Sequence, residues 1–216
     1  MKDKYDLLED SYEDYKLKVA LENGETVWYM NGIPIMFGLE TEHCHQVDIA
    51  ELYGDNNDIL VAGLGHGNTS EIASEYGKVT TIELLETVFD LYEARVSDEY
   101  KHDVLIDDFY DYVNDTSKGY DAILMQLDFP GVDTDLQYCL KSNERMYTEE
   151  FMTRVKYILN NEGVFVTEGL GEKDKQSPLY DLFVKVGFEV EEYRQPFQLE
   201  GYKHLEHILW RCSKEI

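Results

Sequence analysis

The sequence predicts an α/β fold, in which a mostly parallel sheet carries helices on both faces. From residue 57 onwards apolar strands alternate with helix-like stretches, and the strand segments read DILVAGL, KVTTIEL, DVLID, DAILMQLD and GVFVTEGL. Because each parallel connection needs a crossover, usually a helix, this alternation is typical of a parallel sheet. A glycine-rich loop directly after the first strand is a second observation that favours the same fold.

Helices are predicted between these strands and after them. The helix-like stretches lie at 70–76, 86–96, 109–116 and 148–160. A further helix is expected to stop at Gly187, because glycine is the common residue after a helix end, and a strand, a turn and a last strand follow it.

The N-terminal part has a different pattern. Residues 1–15 are acidic, and we predict a frayed arm or a short helix there. Two Asn-Gly pairs, which begin at Asn23 and Asn31, separate short apolar stretches. Because Asn-Gly tolerates the positive φ angles of tight hairpins, we predict a small antiparallel β-hairpin element over 16–37.

The composition excludes several classes of partner. The chain has 216 residues, with 45 Asp and Glu against 19 Lys and Arg, a net charge of −26. Contacts with nucleic-acid phosphates need clustered basic residues, and the sequence has no such cluster. The charge also opposes binding to an anionic membrane and attracts cations, polyamines included. Three cysteines without metal-ligand spacing predict a reduced, cytoplasmic protein without a metal.

The glycine loop, ILVAGLGHGNTSE, is the main candidate for a binding site. Gly63, Gly65 and Gly67 alternate at the end of a strand, and Glu83 ends the next strand 20 residues after the first glycine. A carboxylate at this spacing can accept both hydroxyl protons of a ribose. The pattern is not the G-x-G-x-x-G of dinucleotide sites and contains no basic residue, so we expect a nucleoside without phosphates, such as S-adenosylmethionine. The alternative is a strand–helix turn that binds nothing.

A third acidic position follows the next strand. Asp107 and Asp108 end the segment DVLIDD. A carboxylate there can accept a hydrogen bond from the exocyclic amine of adenine. The alternative is an N-cap of the next helix, a position that Asp favours, and both roles can hold together.

Collinear segments of the chain resemble the spermidine synthase family, the polyamine aminopropyltransferases. VAGLGHGNTSEIASEYGKVTTIELLETV is similar to that family's strand, GGGDGGT loop, helix and VEID strand. MNGIPIMFGLETEHCHQV resembles LDGxxQLTxxDExxYHE, DDFYDYV resembles GDGFEFL, and YDAILMQLDFP resembles YDVIIxDxxDP. MYTEEFMTRVKYILNNEGVFVTEG resembles LFTxEFYxxxKxxLxxGGxxVxQ. The resemblance covers about residues 16–200.

The resemblance implies a class I methyltransferase-like Rossmann fold. It implies an N-terminal arm and small β element over 1–45 and a catalytic domain that binds the donor over 46–216. By position Glu83 would hold the ribose, Asp108 would hold the adenine, and the 63–67 loop would contact the sulfonium side. The donor would be S-adenosylmethionine or its decarboxylated form, the acceptor a small amine, and the assembly a homodimer.

The chain departs from the family at the reacting end. The family's catalytic Asp aligns with Gln126, which cannot act as a general base, and its second acid aligns with Phe129. Asp128, one residue away, is a candidate replacement. His45 is retained, and its ordinary pKa suits proton removal near neutral pH, so it is the best candidate base. Its alternative is a capping role.

His66 occupies the position of a family Asp in the glycine loop. An Asp there favours the ammonium of the donor and repels a carboxylate, which only S-adenosylmethionine carries. Replacement by His removes that repulsion, whereas the alternative is a side chain that points into solvent. We therefore expect a transferase acting on a small amine, with methyl transfer slightly favoured. The alternatives are aminopropyl transfer from decarboxylated S-adenosylmethionine with a relocated base, and a non-catalytic nucleoside-binding relative.

Overall fold

The computed structural model describes residues 4–12, 15–22, 25–30, 32–37, 45–94, 102–125, 127, 141–173, 175–196 and 205–214. The chain divides into two compact units, Met1–Glu42 and His43–Ile216.

The first unit is a four-stranded antiparallel sheet in the order β1-β2-β3-β4. Its strands are β1 (Lys4–Tyr12), β2 (Tyr15–Glu22), β3 (Glu25–Met30) and β4 (Ile33–Phe37). The last pairs before the two turns are Glu22 with Glu25 and Met30 with Ile33, so each Asn-Gly pair lies between two paired strands. The predicted antiparallel element over 16–37 is confirmed.

The expectation of a frayed arm or short helix at the N-terminus is wrong. Lys4–Tyr12 forms β1, which pairs with β2 from Lys4 opposite Glu22 to Tyr12 opposite Tyr15. The acidic character of the segment hid this strand, because acidic residues are depleted in strands in general. Here the neighbouring strand supplies the backbone partners, and Lys18 of β2 lies 3.3 Å from Glu9 of β1.

The second unit contains a seven-stranded sheet in the order β10-β11-β9-β8-β5-β6-β7. The strands are β5 (Asn57–Ala62), β6 (Gly77–Glu83), β7 (Asp103–Ile106), β8 (Tyr120–Met125), β9 (Leu159–Glu172), β10 (Phe188–Pro196) and β11 (Leu205–Lys214). The helices are α1 (His45–Ala50), α2 (Asn68–Ala73), α3 (Glu86–Glu93), α4 (Phe109–Asp115), α5 (Glu149–Ile158) and α6 (Pro178–Val186), with a 3₁₀ segment at Lys141–Tyr147.

The strand order places a topological switch point beside β5. From β5 the chain passes to β6 and β7 on one side, and then returns to β8 and β9 on the other. The strands from β7 to β9 are parallel, while β11 lies antiparallel between β9 and β10. The predicted class I methyltransferase-like fold is therefore confirmed. In sheets of this kind ligands bind at the carboxyl ends of the strands, next to the switch point.

Both faces of the sheet are buried. Along β5, Leu60 belongs to an apolar cluster with Val155 of α5, whereas its neighbour Ile59 belongs to a second cluster with Val47 of α1 and Ala73 of α2. Because successive side chains of a strand point to opposite faces, this split explains why β5 is apolar at every position from Ile59 to Ala62.

The C-terminal elements follow the prediction. The helix α6 ends at Val186, and Gly187 caps it in the left-handed region with φ 88°. The antiparallel pair β10 and β11 provides the two predicted strands. Within the described part of the chain, no helix has both the length and the apolar character that a membrane crossing requires.

Candidate functional site

The glycine loop leaves the carboxyl end of β5 at the switch point. The parallel register pairs Ala62, the last residue of β5, with Ile82 of β6, and the Gly63 amide donates to the Ile82 carbonyl at 2.9 Å. Gly63, which follows β5, and Glu83, the last residue of β6, therefore lie at the same edge of two neighbouring strands. The glycine loop and the acid thus lie side by side, and their role in nucleoside binding stays a prediction.

All three loop glycines have positive φ, namely 84° at Gly63, 52° at Gly65 and 87° at Gly67. Gly67 is also a point of close approach, because a Cβ atom built there would lie 2.1 Å from Cε2 of Tyr92. Tyr92 belongs to α3 and is buried. The glycines thus serve a tight backbone turn into α2 and the packing of α3 against that turn.

Glu83 links the glycine loop to the start of α3. Its Oε2 accepts from the Leu64 amide and its Oε1 accepts from the Leu85 amide, both at 2.9 Å. The side chain is buried, and this burial raises the pKa of the carboxyl above its ordinary value, against the lowering effect of the surrounding backbone amides. A carboxylate oxygen has two lone pairs, so an oxygen that accepts from one backbone amide can also accept from a ligand hydroxyl.

His66 is buried, with 7% of its surface exposed. The alternative in which its side chain points into solvent is therefore wrong. His66 stands in a tight turn, in which the Gly67 amide donates to the Leu64 carbonyl at 2.7 Å.

Asp107 and Asp108 lie at the end of β7 and the start of α4. The Asp107 amide donates to the Glu83 carbonyl at 3.0 Å, so this pair is attached to the same edge of the sheet as Glu83. Asp108 is the N-cap of α4 and accepts from the Tyr110 amide at 2.8 Å, which confirms the capping role. Its other oxygen accepts from Arg145, whereas the Asp107 side chain is exposed.

His45 is the first residue of α1 and is exposed. Its neighbour Gln46 is buried and donates from Nε2 to the Met125 carbonyl at 3.2 Å. That carbonyl ends β8, so the start of α1 lies at the carboxyl edge of the sheet. The structure thus places His45 next to that edge, and its role as a base stays a prediction.

Gln126 and Asp128, the two other predicted catalytic residues, lie outside the described residues, as does Phe129. Their roles rest on the sequence alone.

Two features of this edge escaped the sequence analysis. The first is Arg145, whose guanidinium carbon lies 4.4 Å from the ring centroid of Tyr110 while Nη2 donates to Asp108. The second is the pair Glu168 and His207, with Oε2 and Nε2 at 2.9 Å. Each pair joins residues 37 or 39 positions apart, and no local pattern signals such contacts.

Among the described residues, no group of three or more His, Cys, Asp or Glu side chains could hold a metal ion. Cys212 is buried in β11, and burial raises the pKa of its thiol well above the ordinary value. A thiol of this kind is a packing residue rather than a nucleophile.

No protein-family model matches the chain. Over 124 residues it is 29% identical to a polyamine aminopropyltransferase from Pyrobaculum calidifontis, a match that covers 51% of this chain and 40% of that protein. The polyamine aminopropyltransferase from Sulfolobus acidocaldarius is 28% identical over 124 residues, covering 53% of this chain and 39% of its own length. The crystal structure of a spermidine synthase from Thermotoga maritima has a TM-score of 0.67 at 16% identity, over 98% of this chain and 73% of that one.

The chain is similar in sequence to polyamine aminopropyltransferases and in fold to a spermidine synthase. The resemblance noted in the sequence is thereby confirmed. The slight preference for methyl transfer finds no support in these comparisons, because both curated relatives are named polyamine aminopropyltransferases. The chain spans about 40% of the length of the curated relatives that it matches.

Proposed function

We propose that the chain is a transferase that binds a sulfonium nucleoside at the carboxyl ends of β5 and β6. It transfers the aminopropyl group of decarboxylated S-adenosylmethionine to a small amine. The observation that carries this proposal is the buried Glu83 carboxylate, which bridges the glycine loop and α3 through two backbone amides at 2.9 Å. The names of the curated relatives support the choice of transferred group.

The ribose is assigned to Glu83. The amides of Leu64 and Leu85 hold its carboxylate in place before a ligand arrives, so no side-chain ordering is required at binding. The second lone pair of each oxygen then accepts one ribose hydroxyl. Because the nucleoside carries no phosphate, the absence of a basic residue from the loop is no obstacle.

The adenine is assigned to the end of β7 and the start of α4. Both oxygens of Asp108 already accept a hydrogen bond, from Tyr110 and from Arg145. Asp107 is exposed and engages one oxygen with the Asp108 amide at 2.8 Å. Asp107 is therefore the more available acceptor for the exocyclic amine, because it is exposed and one of its oxygens accepts a hydrogen bond from the described residues, whereas both oxygens of Asp108 are engaged.

The chemistry needs orientation more than covalent help. The sulfonium is already an activated leaving group, so alignment of the amine nitrogen, the carbon and the sulfur supplies most of the rate. Methyl transfer from S-adenosylmethionine is the second candidate, and one observation favours it. The buried imidazole of His66 stands where the family has an Asp, and it does not repel the carboxylate of that donor.

The test is a product assay by mass spectrometry. The protein is incubated with each donor and a panel of amines, and the released nucleoside is identified. We expect methylthioadenosine from the decarboxylated donor. S-adenosylhomocysteine would instead establish methyl transfer, and binding without product would establish a non-catalytic relative.

A matched pair of variants tests the site itself. Glu83→Gln removes the buried carboxylate, and we expect a loss of methylthioadenosine binding of at least about tenfold, since a charge-assisted hydrogen bond contributes about 1.5–3 kcal/mol. Glu86→Gln removes an exposed carboxylate from the first turn of α3 and should leave binding unchanged. Equal affinities of the two variants, measured by calorimetry, would reject the assignment of the ribose.

A further inference from the structure

Glu168 and His207 form a hydrogen-bonded pair at the carboxyl edge of the sheet. His207 Nε2 lies 2.9 Å from Glu168 Oε2, and the two side chains are only 19% and 16% exposed. Gln195 Nε2 lies 3.4 Å from His207 Nδ1. In the tautomer that carries its proton on Nε2, the imidazole donates to Glu168 and Nδ1 can accept from this amide. No residue of this pair has a role in nucleoside binding.

The strand register places Glu168 at the same level of the sheet as Gly63, the first glycine of the loop. Met125 of β8 pairs with Ala62 of β5 on one side and with Thr167 of β9 on the other. The next residues along β5 and β9 are Gly63 and Glu168, which therefore stand at the same level of the sheet. Only β8 lies between their two strands.

Glu168 also lies on the same face of the sheet as the nucleoside acid. Along β9, Val164 and Val166 belong to the apolar cluster that α1 and α2 cover, and Glu168 follows at the same two-residue spacing. On β6, the Thr81 hydroxyl contacts Ser70 of α2 at 2.8 Å, so Glu83 faces the same way. Three strand spacings, about 14 Å, separate the strands of the two acids.

A separation of about 14 Å leaves room for the nucleoside donor at Glu83 and the acceptor amine at Glu168. The sulfonium sulfur is bonded to the ribose 5′ carbon, so a nucleoside held at Glu83 has its sulfur over the loop at Gly63. On the side away from β6, the transferred group then has β8 and β9 as its neighbours. On that face of β9, Glu168 is the carboxylate that stands at the level of Gly63.

Gln46 supplies an independent sign of a ligand at the same edge. Its side chain is 1% exposed, and Nε2 donates to the carbonyl of Met125 at the end of β8. Its Oε1 is buried and has no hydrogen-bond partner among the described residues. A buried acceptor without a donor is unfavourable, and an N–H group of a bound amine would satisfy it.

We propose that Glu168 binds the acceptor amine and takes its proton, and that His207 is the positioning residue that orients this carboxylate. This inference rests on the proposed function, because it concerns the acceptor of the same reaction. In the family segment that resembles residues 146–168, the position of Glu168 is a Gln, while the family's catalytic Asp is Gln126 here. The carboxylate has moved to the neighbouring strand.

The reaction balances with this single carboxylate. The lone pair of the neutral amine attacks the carbon bonded to sulfur, the C–N bond forms, and the C–S bond breaks with its electron pair on sulfur. The products are a neutral thioether and a substituted ammonium. Glu168 stabilises the positive charge that develops on nitrogen, accepts one proton from it, and releases that proton to water.

The first test measures binding, without any need for turnover. Calorimetry gives the affinity for methylthioadenosine, and then the affinity of that complex for 1,4-diaminobutane. We expect Glu168→Gln to weaken diamine binding at least tenfold and to leave nucleoside binding unchanged. Glu189→Gln, which removes an exposed carboxylate of β10, is the matched control and should change neither affinity.

The outcomes separate the two proposals. A wild-type protein that does not bind methylthioadenosine overturns the proposed function, and this inference with it. Nucleoside binding without diamine binding, or equal diamine binding by wild type and Glu168→Gln, overturns the inference alone.

The second test measures turnover with the decarboxylated donor and 1,4-diaminobutane. We expect Glu168→Gln to lower kcat at least about 100-fold, the usual contribution of a general base, and Glu168→Asp to retain part of it. His207→Leu should lower kcat more than it changes KM, and His207→Gln, which keeps a donor amide, should restore most of the loss. Unchanged kcat in Glu168→Gln, or equal loss in both His207 variants, would overturn the corresponding role.

Discussion

Arg145 donates to Asp108 at the start of α4, while its guanidinium lies over the ring of Tyr110. Tyr110 is stacked in turn on Phe151 of α5, with ring centroids 5.1 Å apart. The Asp108 carboxylate that the sequence assigns to adenine is therefore held by a residue of the 3₁₀ segment.

This contact predicts a competition between Arg145 and the ligand. Arg145→Leu frees one oxygen of Asp108, and we expect the affinity for methylthioadenosine to rise by up to about fivefold, because a partly exposed ion pair contributes about 0.2–1 kcal/mol. The measurement is calorimetry. A fall in affinity would show that the guanidinium itself contacts the nucleoside. Arg154→Leu, which removes the α5 arginine that donates to the carbonyls of Val113 and Thr116, serves as the control for loss of a charge.

Replacement by alanine should destabilise the protein to different extents at Gly67 and at Gly54, two glycines of similar φ. Gly54 has φ 76° and open space where a Cβ would lie, whereas Gly67 has φ 87° and a buried Tyr92 ring in that place. We expect Gly54→Ala to lower the free energy of unfolding by about 1–2 kcal/mol through backbone strain alone. Gly67→Ala should cost roughly 1–3 kcal/mol more through overlap. Urea denaturation gives both values, and equal losses would contradict the close packing at Gly67.

Because the buried side chain of Glu83 is unfavourable when charged, we expect its contribution to the free energy of unfolding to depend on pH. Burial raises its pKa above 4.5, so folding favours the protonated carboxyl. Its contribution to stability is complete below 4.5 and is lost as the pH rises through the raised pKa. The free energy of unfolding of the wild type, relative to Glu83→Gln, should therefore be lower at neutral pH than near pH 4.5. Urea denaturation at the two pH values measures this, with Glu86→Gln as the control, and a rise would reject the direction of the shift.

A substitution at Gln126 tests whether the absence of the family's catalytic Asp limits the reaction. In the Glu168→Gln background, Gln126→Asp returns a carboxylate to the position where the family has it, and we expect turnover of the decarboxylated donor to recover at least tenfold. The measurement is methylthioadenosine release. Absence of recovery, with nucleoside binding intact, would contradict the idea that one carboxylate can serve from either strand.

Local patterns predicted the elements of the second unit well, because each is governed by neighbours in the chain. The apolar run of β5 reflects burial on two faces, and the stop at Gly187 reflects one left-handed residue. β1 was missed because its acidic segment is stabilised by pairing with β2, which the segment itself does not indicate. Glu83 was found because its role depends on a spacing of 20 residues within one strand–helix–strand unit.

The amino-acid sequence by itself determined the fold class, the glycine loop and the acid that follows it, since these depend on periodicity and on short spacings. Only the tertiary structure decided that His66 is buried and that Arg145 donates to Asp108. It also decided that Glu168 pairs with His207 at the same level of the sheet as Gly63. The physical reason is the parallel sheet. It sets side by side the ends of strands that lie far apart in the chain, and hydrogen bonds between those ends follow from strand order and register.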